Sequence, residues 1–120
     1  MWSVGCIFAE MLYKKHLVFR GDEDFDILVE IAKVLGTDGL DEYLEKYQIK
    51  PIYSGKNKMK NYKRRGFDDL LTKKNKKLVT EEALDLLFKM LRYDHAERIT
   101  PLDALQHSYF DEVRGIDVSC

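Results

Sequence analysis

The amino-acid sequence predicts an all-α protein, and three observations support this fold class. Apolar side chains recur at helical spacing in several segments, while no segment alternates apolar and polar residues as a half-buried strand does. Thr80 and Thr100 each stand directly before such a segment, where a hydroxyl group can cap a helix. The 120 residues have the length of one domain, and 45% of them are hydrophobic. The chain therefore has enough apolar residues to bury a core between helices.

The first predicted helix covers the opening segment "MWSVGCIFAEML" and ends near Tyr13. Apolar residues occupy nearly every side of this helix, so we expect a core helix, and the protein that should surround it either comes from the rest of the sequence or is missing. A secretory signal needs basic residues before its apolar run, and a membrane span needs about 20 apolar residues. The opening segment has neither feature, which favours a core helix. The residues at helical spacing are Val4, Ile7, Phe8, Met11 and Leu12.

Two further helices are predicted before residue 48. Asp22, Glu23 and Asp24 place negative charge where the N-terminal end of a helix dipole favours it, and Gly36 is a suitable helix stop. A short third helix is expected around residues 40–47. Together with the first helix, these elements form the predicted segment 1–47.

Residues 48–79 are predicted to form a basic insertion without helical periodicity. Eleven basic but only two acidic residues lie between positions 50 and 77, although the chain has a net charge of −1. One interpretation is a solvated loop whose charges repel one another. The other is a docking surface for polyanions or acidic protein tails. Single-stranded nucleic acid is one such polyanion, because Tyr53, Tyr62 and Phe67 lie among the lysines. The lysines assigned to this docking surface are Lys73, Lys74, Lys76 and Lys77.

Helical signals return in residues 80–112. Thr80 is placed as the cap of one helix, and Thr100 with Pro101 opens another. Asp103 stands three residues after Thr100, as in a variant of the capping box. Residues 113–120 are predicted to be a tail.

Local motifs for catalysis and for metal binding are absent from the sequence. The seven glycines do not cluster into a phosphate-binding loop, and no Ser or Cys lies in a nucleophile motif. His16, His95 and His107 lack metal-ligand spacing, so we interpret them as surface or capping residues. Cys6 and Cys120 do not amount to a disulfide framework, which favours a reducing intracellular compartment.

Four segments in order resemble the helical lobe of eukaryotic protein kinases. "WSVGCIFAEML" is similar to the central helix of that lobe, and "MLRYDHAERITPLDALQHSYF" is similar to its last subdomain. "IAKVLGTDGLDEYLEKY" and "LRYDH" resemble the catalytic subunit of casein kinase 2. The resemblance covers about residues 1 to 112. It implies the C-terminal part of the helical lobe, so we expect the chain to begin partway through a larger domain.

The resemblance implies a parent enzyme that transfers the γ-phosphoryl group of ATP, with Mg²⁺, to Ser or Thr in acidic contexts. The glycine-rich loop, strand lysine, catalytic base and Mg²⁺ ligands of that family match no residue of this chain. We therefore expect no catalytic, cofactor-binding or metal-binding residue within it, and no activity from the chain alone. The alternative hypothesis is a non-catalytic helical interaction module, a kinase remnant that binds acidic partners or polyanions.

The resemblance also implies partners and a location. The expected partners are acidic protein substrates of the parent kinase and the rest of the kinase domain. The interface with the regulatory subunit is expected outside this segment, and no membrane partner is expected. The family resemblance implies a location in the nucleus and the cytoplasm.

Three residues match positions that give structural support in the family, namely Trp2, Gly5 and Arg98. Arg98 matches an arginine that forms a buried ion pair with a glutamate that is not in this chain. We therefore expect Arg98 to turn towards solvent or to pair with Asp94 or Glu97. We also expect Arg98→Ala to cost about 1 kcal/mol or less, as surface substitutions do.

Lys14 and Lys15 directly follow the first helix, where the casein kinase 2 subunit is also basic. In one interpretation they face acidic residues beside the target Ser or Thr. In the other they stabilise the negative end of the helix dipole. The sequence leaves both interpretations open.

Overall fold

The computed structural model describes residues 1–16, 18–50 and 59–114. Five α-helices follow one another along these residues: α1 at Trp2–Tyr13, α2 at Asp24–Leu35, α3 at Thr37–Lys46, α4 at Glu81–Met90 and α5 at Pro101–Leu105. Three single-turn 3₁₀ helices lie between or after them, at Asp68–Leu70, His95–Glu97 and Ser108–Phe110. The described residues contain no β-strand, which confirms the predicted all-α class.

The ends of α2, α4 and α5 lie where local sequence signals place them. Gly36 ends α2 with a φ of 90°, a conformation that side chains other than glycine rarely adopt, and its N–H donates to the Ala32 carbonyl. The Thr80 hydroxyl accepts a hydrogen bond from the Ala83 N–H, and Pro101 opens α5. These three predicted helix boundaries are confirmed.

The core lies mainly between α1 and α4. Leu12 of α1 and Leu87 of α4 are buried in one apolar cluster, which Phe67 enters from the basic segment. A second, smaller cluster joins α4 to α5 through Leu86 and Ala104. Helix α4 therefore connects α1 to α5, because one of its sides packs in the first cluster and another side packs in the second.

One face of α1 is exposed, so the described residues cover only part of this apolar helix. Val4, Ile7 and Met11 are 48%, 57% and 67% exposed. They share one side of the helix, while Ala9 and Leu12 on another side are buried. The apolar composition of α1 correctly indicated a helix but did not indicate which sides make contacts. Of the described residues, no helix is long and apolar enough to span a membrane.

The described part of the basic segment, residues 59–79, is fastened to the helices. The Tyr62 N–H donates to the Thr37 hydroxyl and the Tyr62 carbonyl accepts from the Thr37 N–H, both at 3.0 Å. The Gly66 N–H donates to the Val34 carbonyl at 2.9 Å. Within these residues only the single turn Asp68–Leu70 is helical, so the segment is irregular and also anchored. Tyr53 lies outside the described residues.

Candidate functional site

Arg98 and Trp2 meet at the start of α1. The Arg98 Nε donates a hydrogen bond to the Arg92 carbonyl at 2.7 Å, and Nη2 donates to the Tyr93 carbonyl at 3.1 Å. The Arg98 guanidinium carbon also lies 5.2 Å from the centre of the Trp2 ring, within the range of a cation–π contact. The side chain is therefore fixed by two backbone acceptors and one aromatic face.

This arrangement differs from both sequence-based expectations for Arg98. Arg98 does not turn fully to solvent, because it is half-buried, and no carboxylate among the described residues forms an ion pair with it. The carboxyl group of Asp94 is instead occupied by other partners, as described below. Backbone carbonyl groups thus accept the hydrogen bonds of the Arg98 guanidinium, in place of the carboxylate that the sequence analysis expects.

A cleft of about 400 Å³ lies beside Arg98 and Trp2. Its walls are mostly apolar side chains of α2 and α3, and Arg98 and Lys50 also line it. Such a cleft is chemically suited to a segment that presents apolar side chains and a carboxylate.

Gly5 allows the closest approach between α1 and α4. A Cβ atom added at Gly5 would lie 2.8 Å from Leu91 Cδ2 and 2.9 Å from Met90 Cβ, closer than real Cβ contacts. Gly5, the third residue that the sequence predicted to give structural support, therefore lies at the main helix–helix contact. Any side chain there would force the two helices apart.

Asp94 joins α3 to the segment after α4, a connection that the sequence analysis did not find. One carboxylate oxygen lies 2.5 Å from Lys46 Nζ, and the other accepts hydrogen bonds from the Tyr47 hydroxyl at 2.6 Å and the Ala96 N–H at 2.9 Å. The hydrogen bond from Lys46, followed by that from Tyr47, holds the pKa of the Asp94 carboxyl well below its usual range. Asp94 is therefore a charged structural link between distant segments.

Lys14 and Lys15 extend from the C-terminal end of α1. Lys14 adopts a left-handed conformation with a φ of 52°, and the N–H groups of both lysines donate to the Glu10 carbonyl. Both side chains are exposed. Because they lie at the helix end and also face solvent, this geometry is compatible with both interpretations of these residues.

Asn75 connects the other predicted lysines to this helix end. Its side-chain amide donates to the Tyr13 carbonyl at 3.2 Å and to the Leu70 carbonyl at 2.9 Å. Its side-chain oxygen accepts from the Thr72 N–H at 2.9 Å. Asn75 is only 1% exposed, whereas the lysines on either side of it are exposed. The structure thus brings the two lysine groups to one place, which we call the lysine surface: Lys14, Lys15, Lys73, Lys74, Lys76 and Lys77.

The histidines and acids do not assemble a metal centre in the described residues, where no group of three potential ligands occurs. His107 caps the last 3₁₀ helix, since its Nδ1 accepts from the Tyr109 N–H at 3.0 Å while Nε2 lies 2.6 Å from Asp85. His95 packs against the ring of Tyr47. A larger cleft of about 710 Å³ between α3 and α4 is lined by carboxylates and cations together.

The protein kinase domain matches residues 1–110, which is nearly the whole chain. This chain therefore belongs to the protein kinase domain family. The match confirms the kinase resemblance, and the all-helical architecture is consistent with a helical-lobe fragment of that domain.

Proposed function

We propose that this chain is part of a Ser/Thr protein kinase of the casein kinase 2 type, which transfers the γ-phosphoryl group of ATP to Ser or Thr in acidic contexts. The family match supports a kinase-related function. The segment "IAKVLGTDGLDEYLEKY", which forms the end of α2 and all of α3, supports the casein kinase 2 type by resemblance. ATP and Mg²⁺ are the cofactors of the proposed parent enzyme.

The observation that carries this proposal is the meeting of Trp2 and Arg98 beside an apolar cleft. These two residues come from opposite ends of the matched region, and Arg98, held by two backbone carbonyl groups, is one of the residues that line the cleft. A carboxylate from another part of the kinase domain has a cation and an apolar wall to bind there. The rest of the kinase domain is therefore the first proposed partner, and acidic protein substrates are the second.

The proposed role of these 120 residues is support, because none of them matches the ATP-binding, Mg²⁺-binding or catalytic-base motifs of the family. The chain by itself is expected to show no saturable, Mg²⁺-dependent ATP binding in a calorimeter. It is also expected not to phosphorylate an acidic peptide. Binding of ATP with kinase-like affinity would contradict the support role. A location in the nucleus and cytoplasm belongs to the same proposal.

A chimaera tests the casein kinase 2 assignment directly. In this chimaera, residues 1–112 replace the matching helices of a casein kinase 2 catalytic subunit. We expect it to transfer phosphate from ATP to Ser in an acidic peptide and to prefer that peptide over one in which the acids are replaced by alanine. A folded chimaera without this preference would contradict the assignment.

The second candidate function is a non-catalytic helical module that binds acidic partners. The lysine surface is the observation that favours it, because this surface needs no ATP to attract an acidic segment. The chimaera distinguishes the two candidates, since an interaction module alone would not restore phosphotransfer.

A further inference from the structure

The imidazole ring of His107 is buried between two elements of the fold. Its side chain is only 7% exposed, whereas His16 and His95, the other two histidines of the chain, are exposed. The ring makes one hydrogen bond to Asp85 of α4 and one to the backbone of the 3₁₀ helix at Ser108–Phe110. A proton taken up by this ring therefore acts inside the fold and not at its surface.

The partners of the two ring nitrogens determine which nitrogen carries the hydrogen in neutral His107. The Tyr109 N–H can only donate, so Nδ1, which lies 3.0 Å away, accepts. Nε2 lies 2.6 Å from one oxygen of the Asp85 carboxylate, which can only accept, so Nε2 carries the hydrogen. Neutral His107 thus satisfies both partners in a single tautomer.

Asp85 stays ionised at the pH values where histidines ordinarily take up a proton. Lys89 Nζ lies 2.7 Å from the same carboxylate oxygen that faces His107. The hydrogen bond from Lys89, followed by that from His107, lowers the pKa of the Asp85 carboxyl. The ring therefore has a charged acceptor at Nε2 whether it is neutral or protonated.

The remaining charged groups around His107 belong to the C-terminal turn. Arg114 donates to the His107 carbonyl at 3.0 Å and pairs with Asp111. The residues that α1 and α5 place beside this turn, Phe8 and Ala104, are apolar. In the described ranges 1–16, 18–50 and 59–114, the carboxylate that contacts the ring is thus the one from α4.

A second proton on the ring preserves one of its hydrogen bonds and removes the other. Imidazolium donates from both of its nitrogens. Nε2 then keeps its hydrogen bond to Asp85, which is strengthened because both groups are charged. Nδ1–H, in contrast, points at the Tyr109 N–H, so two donors face each other and the 3₁₀ helix loses its cap.

We propose that His107 is a pH switch whose protonation releases the turn at residues 108–110, while its ring stays bound to Asp85. The two positions of the switch differ in one hydrogen bond, which the neutral ring accepts and the protonated ring cannot. The switch requires neither ATP nor phosphotransfer, and it therefore goes beyond the proposed kinase function.

The turn that is released carries two aromatic contacts. The Tyr109 ring packs edge-on against Phe8 of α1, with the ring centres 5.0 Å apart, and Phe110 packs against the second core cluster. Release of the turn uncovers Phe8, which lies about one helical turn after the exposed Val4. The exposed apolar face of α1 therefore becomes larger in mild acid.

NMR spectroscopy tests the switch both at the ring and at its partner. Long-range proton–nitrogen spectra of the full chain report the tautomer and the charge of His107, with the two exposed histidines as references. Amide hydrogen exchange gives the protection factor of the Tyr109 N–H in a series from about pH 8 to about pH 5, the range in which histidines change charge. The Ala83 N–H is the internal reference, because the Thr80 hydroxyl that caps it does not titrate.

The protection factor of the Tyr109 N–H is expected to fall about threefold or more as His107 becomes protonated, as the loss of a capping hydrogen bond implies. That of the Ala83 N–H is expected to stay constant. A parallel loss at both amides would mean that the whole fold loosens, and it would overturn the switch.

Three variants separate the titration from the cap. His107→Asn keeps an acceptor for the Tyr109 N–H but cannot take up a proton, so its protection factor should not depend on pH. His107→Ala has no acceptor and should show low protection of this amide at every pH. His95→Asn is the matched control, because it removes an exposed histidine and should keep the pH response of the unchanged chain.

Four results contradict the proposal: Nδ1 carries the hydrogen of the neutral ring, His107 stays neutral throughout the series, Tyr109 protection is constant while His107 gains its proton, or His107→Asn responds to pH like the unchanged chain. Circular dichroism checks the fold of each variant. If His107→Ala does not fold, the asparagine variant still decides. The kinase assignment is decided separately, by the ATP and chimaera experiments.

Discussion

At the scale of single residues, Arg98 shows how a guanidinium can be satisfied without an acid. Its five N–H donors form a rigid fork, and two of the nitrogen atoms reach carbonyl groups of the segment after α4. The indole face of Trp2 covers the same cation. These contacts hold the segment between α4 and α5 in one conformation. Through Trp2, Arg98 also joins this segment to the start of α1.

Arg98→Ala is expected to lower the free energy of unfolding by about 1–3 kcal/mol, because two hydrogen bonds from a charged donor and a cation–π contact are lost. This exceeds the cost of about 1 kcal/mol or less that the sequence suggested. Arg92→Ala is the matched control, since Arg92 is exposed and has one long hydrogen bond of 3.3 Å. Urea denaturation measures both changes. Equal losses in the two variants would contradict the role of Arg98.

Asp94 is a second residue whose charge stabilises the fold. Its side chain is only 8% exposed and receives three hydrogen bonds, from Lys46, Tyr47 and the Ala96 N–H. The same contacts lower the pKa of Asp94 in the folded state, with the Lys46 hydrogen bond as the largest cause. A carboxyl group whose pKa is lower in the folded state stabilises the protein above its unfolded pKa, and this contribution is lost as the pH falls further.

We therefore expect the stability of the chain to fall as the pH drops below about 4, the usual pKa of an aspartate. Asp94→Asn should lower the stability at neutral pH and should flatten this acid dependence, because the group no longer titrates. Asp41→Asn is the control, since Asp41 is exposed on α3. Urea midpoints at a series of pH values give the result. An acid dependence of the same steepness in Asp94→Asn would contradict the assignment.

At the scale of elements, the contact between α1 and α4 depends on a residue without a side chain. Gly5 brings the α1 backbone against Met90 and Leu91, the residues at which α4 ends. Gly39 in α3 offers a comparison, because a Cβ atom there would meet only the ring of Tyr93, at 3.4 Å. Two helical glycines in one chain therefore differ in what surrounds them.

Gly5→Ala is expected to destabilise the fold by about 1–2 kcal/mol. Overpacking costs about 1–3 kcal/mol, and the better helix propensity of alanine offsets up to about 1 kcal/mol of it. Gly39→Ala gains the same propensity without the clash, so it should be neutral or stabilising. Thermal and urea melts of the two variants provide the comparison. A stable Gly5→Ala variant would mean that α1 and α4 shift apart at little cost.

The sequence predicted the elements well because the signals for helices are local. Gly36, Thr80 and Thr100 act on backbone groups a few residues away, so their roles are visible without a fold. The link from Asn75 to Tyr13 spans 62 residues, and that from Lys46 to Asp94 spans 48. A single asparagine or aspartate gives no periodic signal, so the sequence offered no way to pair these residues.

At the scale of the whole molecule, the sequence predicted which segments are charged but not how they meet. The lysines after α1 and those of the basic segment were separate candidates, and the fold places them on one surface. The sequence likewise left open whether protein covers every side of α1. The residues of a helix show that it is apolar, but only the tertiary contacts determine which of its sides are covered.

The charge distribution of the whole molecule leads to a prediction about salt. The net charge is −1, so general repulsion is weak, but the six lysines of the lysine surface repel one another at short range. Salt shortens the screening length from about 10 Å at 0.1 M to about 3 Å at 1 M, which weakens this repulsion. Sodium chloride should therefore increase the free energy of unfolding, because it weakens the repulsion between these lysines in the folded chain.

Lys74→Gln with Lys76→Gln removes two of these charges and should reduce the stabilisation by salt by about 0.5 kcal/mol. Lys50→Gln is the control and should keep the full effect, because Lys50 lies away from the lysine surface, in the cleft beside Trp2. Urea melts in about 0.1 M and about 1 M sodium chloride measure the difference, since urea itself is uncharged. An identical salt response in Lys74→Gln with Lys76→Gln and in Lys50→Gln would mean that the six lysines do not repel one another in the folded chain. The turn around Asn75 would then hold them too far apart to bind one acidic segment together.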